Sequence, residues 1–164
     1  MSSRSKLAQG AALAGFVAVV LIAAAIGSRA TIPNLRPWYD GLRKPWWTPP
    51  NRAFGPVWTL LYLLMAASAW RTWRRDDAPP QARKEALACW AFQLALNVGW
   101  SWLFFGLRNP LLAFLELLSL WLAVLATIVA TAKVDRPAAW MLAPYLLWVT
   151  YAGALNGAIA RLNP

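Results

Sequence analysis

The chain has 164 residues, 60% apolar and 13% charged, with a formal net charge of +10, whereas a soluble domain is roughly half apolar and about a quarter charged. With no histidine and one cysteine, Cys89, a Ser-His-Asp triad, a histidine-ligated haem, a zinc centre and an intrachain disulfide are excluded, and no metal site is expected. The basic residues crowd between apolar runs instead of forming a face, so nucleic acid is not the expected partner.

A bilayer core of roughly 30 Å needs about 20 apolar residues at 1.5 Å rise. Runs that meet this lie at 7–26, 57–73, 86–105, 111–132 and 138–160. They predict one domain over 1–164, an all-α, multi-pass integral membrane protein whose five helices form a bundle with the termini on opposite sides of the bilayer. The first run follows Met-Ser-Ser-Arg-Ser-Lys, as a signal peptide would, but exceeds the usual apolar region of roughly 7–15 residues, so its retention is expected. Residues 27–56 then read as a long loop, and WYDGLRKPWWTPP at 38–50 makes it stiff, aromatic and basic. Loops longer than about 12–15 residues are often functional, and a lid over a cavity fits this one better than an interfacial anchor.

On the second span Trp58, Tyr62 and Met65 share a helix face, on the third Gln93, Asn97, Trp100 and Phe104, and on the fifth Tyr145, Trp148, Ala152 and Asn156. Each stripe mixes aromatic and polar groups, which suits a bundle interior; a solid core and a lined pocket both remain open. The third span also repeats small residues at Ala91, Ala95 and Gly99, a homodimer contact or internal packing, and Gly153 and Gly157 form a GxxxG on the fifth. Glu116, two turns into the fourth span, is the only carboxylate well inside a span, and an intramembrane acid is a functional candidate. Nine basic residues, Arg4, Lys6, Arg71, Arg74, Arg75, Arg83, Lys84, Lys133 and Arg136, fall on the N-terminal side, against seven opposite. That small excess leans toward the N-terminus inside.

The blocks WYDGLRKPWWTPP (38–50), FGPVWTLLY (54–62), QLALNVGWSWLFF (93–105) and PYLLWVTYAGALN (144–156) together resemble the tryptophan-rich sensory protein family, bacterial relatives of the mitochondrial translocator protein once called the peripheral benzodiazepine receptor. The resemblance implies a homodimer of five-helix bundles with a pocket under the first loop, and ligands such as porphyrins, sterols and synthetic isoquinoline or benzodiazepine-type molecules. It implies a pocket of Trp38, Tyr39, Pro49, Trp58, Tyr62, Asn97, Trp100, Trp148, Ala152 and Asn156. Trp58 and Trp148 match the pair linked to light-driven porphyrin breakdown. The sterol-recognition pattern of mammalian relatives lacks its aromatic here, since Gly157 and Ala158 follow Asn156, so a sterol is less expected than a porphyrin.

A porphyrin, protoporphyrin or haem, is a broad apolar plate with an anionic edge, so indoles would stack on it while Arg43, Lys44 or Arg52 meet its carboxylates. No cofactor is required for binding. Three functions stay open: a tetrapyrrole-binding protein, a photo-oxidase acting through Trp58 and Trp148, and a transporter or regulatory membrane protein for sterol-like or other apolar molecules.

Overall fold

The computed structural model describes residues 5–164; Arg4 of the charge comparison and the start of the signal-like segment lie outside the described residues. Among the described residues, five helical spans are long and apolar enough to cross a membrane: Lys6–Tyr39, Asn51–Trp73, Pro80–Gly106, Pro110–Ala132 and Arg136–Leu162.

The first span corrects the expectation of a loop over 27–56. Helix α1 runs Lys6–Asn34, capped by Ser5, whose Oγ accepts from the Ala8 amide at 3.2 Å. It passes through Gly27 because Arg29 ends the apolar run without ending the helix. Polar side chains bond back to their own turns, Thr31 Oγ1 to the Gly27 carbonyl at 3.1 Å and Asn34 Nδ2 to the Ala30 carbonyl at 2.9 Å. Gly27 also lets α1 approach α3, since a Cβ there would lie 3.2 Å from Ser101 Oγ. A π-helical turn over Leu35–Tyr39 follows, with extended backbone at Arg36, and the connection proper shrinks to residues 40–50.

Helix α2 covers Asn51–Trp73 and α3 Pro80–Ser101, each starting six residues before its apolar run, because polar first turns helicate outside the apolar layer. A second π-turn, Trp102–Gly106, and the left-handed Arg108 (φ 51°) reverse the chain. Asn109 then caps α4, Pro110–Ala132, accepting from the Leu112 amide at 3.0 Å. The fifth span, expected unbroken over 138–160, divides into α5, Arg136–Trp140, and α6, Ala143–Leu162. Pro144 explains the break, because it has no N–H for the carbonyl one turn earlier.

Met65, Leu117, Leu120, Val124, Tyr145 and Val149 fill the core where α2, α4 and α6 meet, with Val20 of α1 against them. The GxxxG of α6 serves this packing. A Cβ at Gly153 would stand 3.1 Å from Leu117 Cδ2, and one at Gly157 3.0 Å from the Phe114 ring. Gly153→Leu is therefore expected to lower stability by about 1–3 kcal/mol through overpacking; an unchanged unfolding transition in detergent would show that the α4–α6 seam has room to spare.

At the end away from the 40–50 connection, α2 is pinned to α5. Arg71 Nη2 lies 3.2 and 3.1 Å from the two carboxylate oxygens of Asp135, which also caps α5 through the Ala138 amide at 3.2 Å. Ser68 Oγ donates to the Ala138 carbonyl at 2.9 Å.

Candidate functional site

A cavity of about 470 Å³ opens between α1, α2, α3 and α6 at the connection end, within the roughly 300–1,000 Å³ of small-molecule sites. Its walls differ in chemistry. Phe54, Trp58 and Tyr62 come from one face of α2, and Trp148, Ala152, Leu155 and Asn156 from one face of α6; Trp100, Phe104 and Phe105 come from α3 and its π-turn. Ala24, Gly27, Ser28 and Thr31 of α1, with Ser101 of α3, form a narrower strip of small and hydroxyl-bearing residues. No residue lining the cavity is charged.

The aromatic wall is a connected set. Trp58 meets Trp148 edge-on at 6.5 Å between ring centroids and 87°, Tyr62 lies 5.7 Å from Trp58, and Phe54 lies 5.9 Å from Trp148. Trp100 stacks on Phe104 at 5.2 Å and donates its indole N–H to Asn156 Oδ1 at 2.9 Å, while Asn156 Nδ2 donates to the Pro110 carbonyl at 2.7 Å. The Tyr62 hydroxyl donates to Asn97 Oδ1 at 2.7 Å, and Asn97 Nδ2 donates to the Tyr145 hydroxyl at 3.0 Å. Trp148 Nε1 differs from these groups: it is buried with no acceptor among the described residues, whereas buried indole N–H groups usually find a partner.

Tyr39, Trp58, Tyr62, Asn97, Trp100, Trp148, Ala152 and Asn156 are thus brought together around one space. Trp38 is not among the lining residues; its ring packs against Phe104 and Phe105 at 5.6 and 6.2 Å, behind the wall. Pro49 is half-buried in the connection, outside the lining.

Lys44, expected to meet a ligand carboxylate, does not line the cavity. Its ammonium group donates to the carbonyls of Tyr39, Asp40 and Leu42 at 2.6, 3.1 and 3.0 Å, closing the end of the first π-turn and using all three protons. Arg43 and Arg52 are exposed and do not line the cavity.

The connection is strapped to α6. The Tyr151 hydroxyl donates to the Trp47 carbonyl at 2.9 Å, and Asn163 exchanges two hydrogen bonds with the Arg43 backbone at 3.0 and 2.9 Å. Asn51 Nδ2 donates to Asp40 Oδ1 at 2.9 Å and closes the other edge.

Outside the cavity, Ala91 and Ala95 are exposed on the outer face of α3. Gly99 instead turns toward α4, where its Cβ would sit 3.9 Å from Glu116 Oε1. Both carboxylate oxygens of Glu116 are buried without a hydrogen-bond partner. The sequence reading missed the α1 strip. Positions 24, 27, 28 and 31 do follow helical spacing, but most of them fell in the supposed loop.

Residues 16–162 match the profile of the TspO/MBR family. The chain is 42% identical to the tryptophan-rich protein TspO of Archaeoglobus fulgidus over 151 residues, covering 92% of this chain and 95% of that protein. It is 41% identical to protein CrtK of Rhodobacter capsulatus over 149 residues, covering 91% and 92%. It is also 36% identical to the human translocator protein over 149 residues, covering 91% and 88%.

Proposed function

The chain belongs to the TspO/MBR family of membrane proteins, and on that footing we propose that its cavity binds tetrapyrroles, protoporphyrin or haem, as apolar plates between indole faces. The observation that carries this is an uncharged cavity walled by aromatic rings, Phe54, Trp58, Trp100 and Trp148 among them. The plate meets Trp58, Trp148 and Phe54. Carboxylates on the plate's edge are too costly to bury in an uncharged cavity, so they project to the aqueous rim, where Arg43 and Arg52 are exposed.

A photo-oxidase is the second reading, favoured by the contact of Trp58 with Trp148. In it an indole gives one electron to the light-excited porphyrin, and the reduced porphyrin passes it to dioxygen. The indole cation then recovers an electron from the macrocycle, so one electron moves in net from porphyrin to dioxygen, and the oxidised macrocycle breaks down.

Titrating the purified protein with protoporphyrin in darkness, then illuminating it, tests both. Quenching of tryptophan fluorescence that saturates at one porphyrin per chain is expected; quenching without saturation would remove the binding reading.

We further propose a homodimer through the exposed α3 face. Ala95→Leu separates backbones that small residues let approach, and should reduce the dimer fraction in detergent and in bilayers. An unchanged fraction would move the contact to another face.

A further inference from the structure

Besides the tyrosines, four hydroxyl-bearing residues line the cavity: Ser28 and Thr31 on α1, Thr59 on α2 and Ser101 on α3. A serine or threonine inside a helix can return its proton to the carbonyl four residues back. Both threonines do so, Thr31 Oγ1 donating to the Gly27 carbonyl at 3.1 Å and Thr59 Oγ1 to the Gly55 carbonyl at 2.9 Å. The two serines do not. Neither Ser28 nor Ser101 has a hydrogen-bond partner for its hydroxyl among the described residues.

Both serines belong to the junction of α1 with α3. Ser101 Oγ reaches α1 at Gly27, where an added Cβ would lie 3.2 Å from it, and Ser28 is the next residue along. Both side chains are half-buried. The unpartnered polar atoms sealed inside the protein include Trp148 Nε1 but neither serine oxygen. The two hydroxyls are therefore open to the cavity they line, with their protons uncommitted, on the strip that faces away from the indoles of α2 and α6 in chemistry as in origin.

We propose that Ser28 and Ser101 form a hydrogen-bonding subsite of the cavity, which selects apolar ligands that carry an uncharged acceptor such as a ketone, ester or amide carbonyl. This rests on the cavity being a ligand site, and not on the ligand being a tetrapyrrole. Water can satisfy a serine hydroxyl until a ligand fills the space and displaces it. A hydrocarbon surface then leaves the hydroxyl unsatisfied at a cost, whereas a carbonyl oxygen, with two lone pairs, accepts its proton. A carboxylate would accept it too, but no lining residue carries a charge to offset the burial of an anion.

Benzophenone and diphenylmethane share two phenyl rings and differ by one carbonyl, so the ratio of their affinities isolates the subsite and cancels the detergent. From wild type to the double variant Ser28→Ala with Ser101→Ala, benzophenone should weaken relative to diphenylmethane by about five- to tenfold, the scale of one neutral hydrogen bond. Alanine is the better helix former, so both helices should persist. Thr31→Val removes a hydroxyl already committed within α1 and should leave the ratio as in wild type. An unchanged ratio in the double variant, or an equal fall in Thr31→Val, overturns the subsite, as does benzophenone that fails to bind saturably.

Illumination gives a second readout. The excited benzophenone carbonyl takes a hydrogen atom from a nearby C–H bond, and the two carbon radicals then join, so the adduct marks where the carbonyl sits. Adducts on the α1 segment from Ala24 to Thr31, or beside Ser101, are expected; adducts confined to α2 and α6 overturn the subsite. A protoporphyrin titration run in parallel separates the two readings. If protoporphyrin fails to bind while the ratio falls in the double variant, the tetrapyrrole reading is wrong and the subsite stands. If protoporphyrin binds and the ratio does not move, the subsite is wrong and the tetrapyrrole reading stands.

Discussion

Asp135→Ala is expected to destabilise the protein by about 3–5 kcal/mol. The carboxylate side chain is 1% exposed and the Arg71 side chain 25%. Asp135 binds Arg71 through both oxygens and caps α5, and Arg75 stands 4.0 Å away. Removing it strands a guanidinium whose Nε is already buried without a partner, and frees the first turn of α5. Arg36 and Asp40 give the contrast. They lie 3.2 Å apart, but their side chains are 88% and 38% exposed, so Arg36→Ala should cost no more than about 1 kcal/mol. Equal shifts of the unfolding midpoint in the two variants would contradict the pinning role of Asp135. A double change of Arg71 and Asp135 to methionine and leucine should recover much of the loss, since it leaves no unpaired charge.

The five spans were legible because the bilayer demands apolar length, and that demand is written residue by residue. The cavity faces of α2, α3 and α6 were legible too: Trp58 with Tyr62, Asn97 with Trp100, and Trp148 with Ala152 and Asn156 recur at helical spacing and stand out by size. What failed has equally physical causes. Arg29 marks where the apolar layer ends, but the helix continues on hydrogen bonds of Thr31 and Asn34 that hydropathy does not register. Ser28 and Thr31 line the cavity through small size, which carries no contrast in a pattern of apolar and polar letters. The fate of Lys44 was decided by the carbonyls of an irregular turn, and no periodicity encodes those. Asp135 lay in a charged turn that reads as solvated, and its partner is on another helix.

Trp58→Phe and Trp148→Phe should separate chemistry from binding in the cavity. Phenylalanine keeps an aromatic face but removes an indole's ease of oxidation and its N–H. Several rings line the cavity, Phe54, Trp58, Tyr62, Trp100 and Trp148 among them, so losing one indole should weaken dark binding of protoporphyrin by only about 1–2 kcal/mol. The photochemical loss should be far larger. The Trp148 indole has no acceptor for its N–H, so once oxidised it has no base to which it can lose that proton. It stays a cation, a stronger oxidant than the neutral radical, and able to draw an electron from the macrocycle. Trp58, 6.5 Å away edge-on, is close enough to exchange an electron with it. Each substitution should therefore abolish light-dependent porphyrin breakdown while dark binding persists. Trp121→Phe is the control, because its indole donates to Thr150 Oγ1 at 2.8 Å and it does not line the cavity. Breakdown at the same rate in all three variants would mean that the porphyrin merely bleaches where it is bound, and would leave the two cavity tryptophans as stacking surfaces.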